Sequence, residues 1–575
     1  MDTEYTEGGN LSRRGFLGLG AFAMTGAAVG GLVGCAPKDK AAAESEAASS
    51  RGSSGTTDWI GEPEAVDESK IIETVDAEVV VIGAGNGGMF AAASAAEEGA
   101  RVVLLEKTGQ VGSNCREWIG AVGSRLQKEK GVELDKNEVV EYLCFYASHR
   151  CDQRLIRLWA DHSGETVDWL DDVIREQDPN AYVFFETDIG NPDHGVYKTF
   201  AIQHNVQNDS ERLKSLDFVS KKIESLGVDV RTSTEMKRLI REDDGTGRVS
   251  AVIAEGQDGL VRFNASKGVI IATGGYCCNE EIMEARNKMA VDHCTALEAP
   301  GQMNNGDGIK AALWAGAAMD EQPTVMVFDR GGVPAGSKGG GAYSQPGIMT
   351  HIGSQPFLKV NKDGERFCNE SVPYDFIYAA GTVQRDGVYC ELWDANWVAQ
   401  VEQFHTIACS RIIPSPTGGH AQIFNVESET GMMEETLIPA EVVVEADTIE
   451  GLAEKLQVPA ATLVETVSRY NELCAKGVDE DFGKESYRML PLTTPPYRAA
   501  TLGGQLLCTL DGLRVNTDLQ VLDTEHNAIP GLYAAGNDTG GFFANNYPEL
   551  FPGVACGRTI TFGRLAGKNV LKADV

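Results

Sequence analysis

Six residues at fixed spacing, Gly83-Ala84-Gly85-Asn86-Gly87-Gly88, carry the first chemistry legible in this chain. Glycine at the first, third and sixth positions lets a strand turn tightly, lets backbone amides approach a pyrophosphate, and lets the next helix rest on the strand. Glu106 stands 23 residues after Gly83. Its carboxylate suits a ribose hydroxyl, and its charge opposes a 2′-phosphate. Two more strand-to-glycine junctions lie far downstream, GVIIATGG at residues 268–275 and GLYAAGN at residues 531–537. Three junctions so widely separated imply one extended ligand threaded across the carboxyl ends of a single sheet. That favours FAD, permanently held, over an exchanged nicotinamide.

The elements that must position these residues are visible around them. Residues 77–82, AEVVVI, form an apolar, β-branched run, which predicts a buried parallel strand. A helix begins in the glycine segment and continues through Met89-Phe90-Ala91-Ala92-Ala93. Its first turn offers free amides to phosphate. A second strand at residues 101–105 ends on Glu106, and Lys107 and the segment Gly112-Ser113-Asn114 follow it.

Composition narrows the class. A chain of 575 residues is long enough for two large domains or three small ones, and 42% hydrophobic against 23% charged residues supports a packed core. Lys and Arg total 50 against 84 Asp and Glu, a net charge of −34, which excludes the basic footprint of a nucleic-acid binder. Such an acidic surface suits a basic partner. The 65 glycines, about 11% against a usual ~7%, fit a scaffold of tight turns around a nucleotide. Thirteen cysteines contain no CxxC spacing, which argues against c-type haem, a local iron–sulfur cluster and structural zinc. No metal site is expected.

The N-terminus predicts export. Ser12-Arg13-Arg14-Gly15-Phe16-Leu17-Gly18 precedes a small apolar run from Leu19 to Val33, too short and too rich in Gly and Ala to span a bilayer stably. Paired arginines before such a run read as a twin-arginine signal, the route for proteins exported already folded, here with cofactor loaded in the cytoplasm. Leu32-Val33-Gly34-Cys35 resembles a lipobox, with Cys35 as the lipidated residue; ordinary cleavage to a soluble product is the alternative. Residues 1–35 are therefore the expected signal and 36–70, rich in Ala, Ser and Gly, a flexible linker. No later segment offers 18 continuous apolar residues, so a lipid anchor is the only membrane contact expected. The expected location is the outer face of the cytoplasmic membrane or the periplasm.

VVVIGAGNGG, LLEKTGQVGSN, VIIATGGYCCN, the segment at residues 304–317 (NNGDGIKAALWAGA), the segment at 357–370 (FLKVNKDGERFCNE), IPGLYAAGND and TFGRLAG appear in one order between residues 75 and 568. In these motifs the chain resembles the FAD-binding fumarate reductase and succinate dehydrogenase flavoproteins, with their soluble fumarate and urocanate reductases, L-aspartate oxidases and 3-ketosteroid dehydrogenases. The resemblance implies an α/β fold: a Rossmann-like FAD-binding domain in two pieces, 71–319 and 509–575, with an inserted α+β capping domain at 320–508. It places Glu106, Asn114, Gly274, Asp307, Asn537 and Ala555 on FAD, with Lys107, Ser113, Thr273 and Cys556 beside them. One non-covalent FAD per chain is expected.

The positions that clamp fumarate in that family are changed here. Gln322 stands in place of the histidine of an HPT segment, Tyr374 in place of the proton-donating arginine, and Cys508 in place of a second histidine. The second clamp arginine has no counterpart at residues 544–553. Tyr547 with Gly553 resembles the Tyr-Pro-Gly segment of the ketosteroid enzymes, where a hydroxyl and an amide polarise a ketone. The resemblance thus assigns catalysis to Tyr374 and Tyr547, and substrate contact to Gln322, Cys508 and Gly553. Arg411 is a further candidate for a substrate carboxylate, Asp329-Arg330 is either an internal ion pair or a clamp, and Phe542, Phe543, Phe551 and Tyr343 are candidate aromatic walls.

The expected function is an exported FAD-dependent reductase of an activated C=C bond in an enone or aromatic enoate. Hydride passes to the β-carbon, a tyrosine protonates the α-carbon, and electrons arrive from an external donor, a cytochrome c or an FMN-bearing membrane protein, as a step of anaerobic respiration. Two alternatives stay open: a ketosteroid-type dehydrogenase working oxidatively, and a non-catalytic flavin carrier or binding lipoprotein.

Overall fold

The computed structural model describes residues 57–112, 117–187, 198–298, 303–406, 410–412 and 424–572. The expected signal with Cys35, most of the expected linker, and Ser113 and Asn114 lie outside the described residues. All described residues fall in one unit, Gly55–Val575.

Strand β1 (Ile71–Ile82) leads into helix α1 (Asn86–Glu97) and strand β2 (Val102–Leu105). Strand β3 (Gly259–Ile271) completes the core of the first sheet, lying parallel to β1 with Ile82 opposite Ile271. On the other side β1 pairs in parallel with β2, Ile82 opposite Leu105. Residues 79–82 are wholly buried, as a central parallel strand covered on both faces requires. The strand starts earlier than its apolar run suggests. Its polar first half pairs with the extension of β3, which also carries the antiparallel ribbon of Glu235–Arg241 and Val249–Gly256.

The chain then builds a second sheet around strands β4 (Val325–Val333) and β5 (Tyr497–Thr509), which pair antiparallel. Helix α2 (Tyr374–Thr382) lies between them in sequence. Tyr389–Trp393 and Val443–Ala446 also pair with β5, so one 13-residue strand organises the layer. Two apolar clusters back it, one around Trp393 and Trp397 and one in which the helices Ile449–Leu456 and Ala460–Lys476 cover Leu392 and Ala499. The edge strand Cys294–Leu297 joins this sheet although it precedes residue 320, and β5 runs to Thr509. The division between sheets therefore does not coincide with the motif-derived boundary at 320.

The chain returns to the first sheet with β6 (Ala528–Ala534), parallel to β3, and ends in α3 (Val554–Asn569). The first sheet is thus made from two sequence pieces. Helix α1 is buried from Gly87 to Ala96 and crosses α3 at close range. A Cβ on Gly563 would lie 2.3 Å from the carbonyl oxygen of Gly87, and one on Gly567 2.3 Å from that of Ala91. The small residues of TFGRLAG are what this helix crossing demands.

Candidate active site

One cavity of about 470 Å³ reaches from the glycine turn after β1 to the underside of the second sheet. Volumes of this order are usual for cofactor and substrate clefts.

Its floor is built from strand ends. Gly83 takes a φ of +97°, and a Cβ there would sit 2.3 Å from the Ala272 carbonyl oxygen, so glycine is required twice over. Gly88 does not line the cavity; its missing side chain lets α1 rest on Gly83. The Glu106 carboxylate accepts the amides of Ala84 and Thr108, each at 2.9 Å, and so ties the glycine turn to the end of β2. Lys107 ion-pairs with Asp307 at the start of the helix Asp307–Trp314, and both line the cavity.

Asp538 is the knot beneath the second junction. Its carboxylate accepts the Thr273, Gly274 and Gly275 amides, the last two at 3.0 and 3.1 Å, and the Thr273 hydroxyl. Burial pushes this carboxyl above its usual range, against those donors. Arg558, fully buried, donates to Asn537 Oδ1 at 2.9 Å and to Thr539, and burial pulls it down to about 10, still a cation at neutral pH. Asp538 closes the IPGLYAAGND motif, which by itself assigns it no role; Arg558 falls in no motif, and a charged residue inside an otherwise apolar, glycine-rich stretch is its only signal.

These residues fit FAD. Gly83, Ala84, Gly85, Asn86 and Gly87 line the cavity at the start of α1, where backbone amides can meet a pyrophosphate, and Glu106 stands at the end of β2 where a ribose acceptor is needed. Thr273, Gly274, Asn537, Ala555 and Cys556 line the same cavity.

The roof is different in kind. Phe328 and Arg330 come from β4, Tyr374 from the first residue of α2, and Tyr547, Glu549 and Gly553 from the loop before α3. The Tyr374 ring meets Phe328 edge-on at 4.7 Å and lies parallel to Tyr547 at 6.5 Å. Arg330 rests its guanidinium over Phe328, 3.9 Å from the ring centre, and donates to Gln505 at 3.0 Å. Cys508 lines the cavity from the end of β5.

Glu549 went unnoticed in the sequence, hidden in Tyr547-Pro548-Glu549-Leu550-Phe551-Pro552 as a lone acid among aromatics and prolines. It is buried, and its carboxylate accepts the Tyr374 amide at 2.9 Å and the Ser410 hydroxyl at 3.1 Å. Burial, reinforced by the charge of Asp329 and opposed by its two donors and by Arg488, pushes it up to about 7.

Other expected residues are placed elsewhere. Gln322 does not line the cavity; its side-chain oxygen accepts Arg150 at 2.9 Å and its backbone amide donates to Asp320 at 3.3 Å, which hold it outside. Arg411 pairs with Glu186 at 3.7 Å and is likewise off the cavity. Phe542 packs on Trp159 and Phe562, Phe543 against Phe542 and Tyr547, and Phe551 stacks on Phe200, while Tyr343 donates to the Cys277 carbonyl; none forms a wall. Phe328, Tyr374, Tyr547 and Phe424 do.

A parallel sheet whose strand ends close on a dinucleotide cradle, roofed by a second sheet, is the architecture of an FAD-dependent oxidoreductase. Residues 78–549 match the family described as FAD binding domain, and the chain belongs to it. It is similar to the vinyl phenol reductase of Lactiplantibacillus plantarum (strain ATCC BAA-793 / NCIMB 8826 / WCFS1), 30% identical over 86% of this chain and 96% of that protein. Among solved structures, the open conformation of a flavocytochrome c3 fumarate reductase aligns with a TM-score of 0.62 at 24% identity, covering 88% of this chain and 81% of the other. The 3-ketosteroid-Δ4-(5α)-dehydrogenase of Rhodococcus jostii RHA1 aligns at 0.65 with 22% identity over 89% and 100%. Both structures share the fold. FAD is the cofactor, and the enzyme is an FAD-dependent oxidoreductase.

Proposed function

We propose that the enzyme reduces an activated C=C bond in a neutral, flat substrate, an enone or an aryl alkene. The charge inventory of the cavity carries this reading. Its described lining holds two cations, Lys107 and Arg330, against five acids, Glu106, Glu235, Glu298, Asp307 and Glu549. Lys107 is already paired with Asp307, and Arg330 is engaged by Gln505 and Phe328. With Glu106, Lys107 and Asp307 on the cofactor floor, the roof offers a dicarboxylate one cation, Arg330, already engaged, whereas an aromatic ring or enone finds four aromatic walls and neutral donors. The L. plantarum relative, named for reduction of a vinyl phenol, supports the same substrate class.

When bound, FAD supplies the hydride for the β-carbon. Tyr547, with the backbone amide of Gly553, polarises the conjugated carbonyl or ring, and Tyr374 gives its hydroxyl proton to the α-carbon. The aromatic roof excludes water while charge develops. Two electrons per turnover come from an external redox protein, and a net charge of −34 favours a donor with a basic face. The paired Arg13-Arg14 and the segment ending at Cys35 support export and lipid anchoring, and on this reading the reaction is a step of anaerobic respiration outside the cytoplasmic membrane.

The test is anaerobic turnover of the FAD-loaded enzyme with reduced methyl viologen across vinyl phenols, cinnamates, cyclic enones and 3-ketosteroids. Reduction of at least one neutral member, with kcat falling about a hundredfold in Tyr374→Phe, is expected. Oxidation of saturated ketones with no reductive activity would overturn the direction proposed.

A further inference from the structure

A second, smaller cavity of about 30 Å³ lies behind the roof. Its lining is polar: Asp329, Ser354, Glu370, Ser371, Thr406 and Arg488. Tyr374 and Glu549 line this cavity and the catalytic one alike, so they form the wall between the two. The volume is enough for one or two waters. Among the described residues Ser371 Oγ, on this cavity, is buried without a hydrogen-bond partner, a polar wall suited to water. Thr406, partly exposed, marks the outer end.

We propose that Glu549 is the proton entry of the catalytic cavity, passing protons from water in the small polar cavity to the acid that protonates the substrate. This rests on the reductase reading above. The balance is simple. Each turnover takes one proton from Tyr374; the Glu549 carboxyl, which lines both cavities with Tyr374, returns one to the tyrosinate by way of water and is left as carboxylate. A proton from bulk solvent, relayed through the cavity water, then reprotonates it, and the water is left neutral. No electrons move in this step.

The surroundings allow both charge states. Asp329 on β4 disfavours the carboxylate through its charge, as burial does, whereas Arg488, the Tyr374 amide and the Ser410 hydroxyl favour it; Asp375 on α2 is itself pushed well up by burial and by the charge of Glu549. The opposing influences leave Glu549 near 7, where a carrier must both take and give a proton at neutral pH. Asp375 is engaged by the Tyr146 hydroxyl at 2.8 Å and Asp329 by Ser354 at 2.6 Å, which leaves Glu549 as the acid shared by both cavities.

The experiment uses the FAD-loaded full chain and its Glu549→Gln variant, which keeps the shape and an acceptor for the Tyr374 amide. An acid that must be protonated gives activity that falls as pH rises through its pKa. Wild-type kcat should therefore show an alkaline limb near pH 7, and E549Q should lose the limb and about a hundredfold in kcat with FAD content unchanged. Ser410→Ala removes a donor that favours the carboxylate, so the limb should move to higher pH. Wild-type kcat and limb retained in E549Q, or a limb unmoved in S410A, would overturn the proposal. Infrared titration gives a readout independent of turnover. A protonated-carboxyl band should vanish through neutral pH in wild type and be missing from E549Q; its absence from wild type sinks the proton carrier. If the band titrates as expected while wild type reduces no alkene, the reductase reading fails and the carrier site stands.

Discussion

Asp538 and Glu549 are both buried, both pushed above the usual carboxylate range by burial, and eleven residues apart in one segment. Asp538 is saturated: three backbone amides and a hydroxyl converge on it, and all belong to the junction 273–275 that cradles the cofactor. Glu549 has two donors and faces two cavities. Saturation makes the first acid a fixed part of the floor. Partial satisfaction beside water leaves the second able to change charge. The same contrast separates the two halves of the site: a floor of backbone that binds, and a roof of side chains that reacts.

Substitutions that break the floor should cost the most. Gly88→Ala places a Cβ 1.8 Å from the Gly83 carbonyl oxygen, a clash with backbone that no rotamer relieves. We expect loss of bound FAD and about 3 kcal/mol of stability, read from flavin absorbance and thermal unfolding. On the roof, Tyr374→Phe keeps the ring against Phe328 and Tyr547 and should keep FAD, yet lower kcat about a hundredfold, equivalent to about 2.7 kcal/mol. Asp538→Asn should do the converse, with about 2 kcal/mol lost and FAD released more readily while turnover per bound FAD is unchanged. A roof variant that sheds FAD, or a floor variant that slows chemistry with FAD in place, would erase the contrast.

Arg330→Met sharpens it further. If the substrate is neutral, kcat/KM changes by less than about tenfold. If Arg330 clamps a carboxylate, removing that buried partner costs 2 kcal/mol or more, about thirtyfold. Gln322→Ala and Arg411→Ala, both off the cavity, should leave kcat/KM within about twofold.

The floor was largely legible in the sequence because backbone geometry demands particular residue types. A turn at Gly83 that sits on a carbonyl oxygen admits only glycine, and four buried strand residues in a row announce a central parallel strand. The length of β1 was not, because its polar first half reads as a loop until the extension of β3 is there to pair with it. The second sheet begins at Cys294 rather than after residue 320 because a four-residue edge strand leaves little periodic signal. The roof was only partly legible. Tyr374 and Tyr547 stood at motif positions, but Phe328 sits in a nine-residue strand buried almost throughout, where alternation does not reveal which face meets a cavity. Phe542 and Phe551 looked equally suited to line it and instead pack in the core, because their partners Trp159 and Phe200 come from segments hundreds of residues away that no local pattern reveals. Glu549 depends on contacts from Tyr374 and Ser410, more than a hundred residues away, and no local pattern encodes them.

The central claim is that this roof selects neutral alkenes and rejects dianions. Its most direct test is the ratio of kcat/KM for a neutral aryl alkene or enone to that for fumarate, measured anaerobically with reduced methyl viologen on the same FAD-loaded preparation. We predict a ratio above about a thousand, since the roof offers a dianion one cation, Arg330, already engaged by Gln505 and Phe328, beside the acid Glu549. Fumarate turned over as efficiently as the neutral alkene would contradict the account.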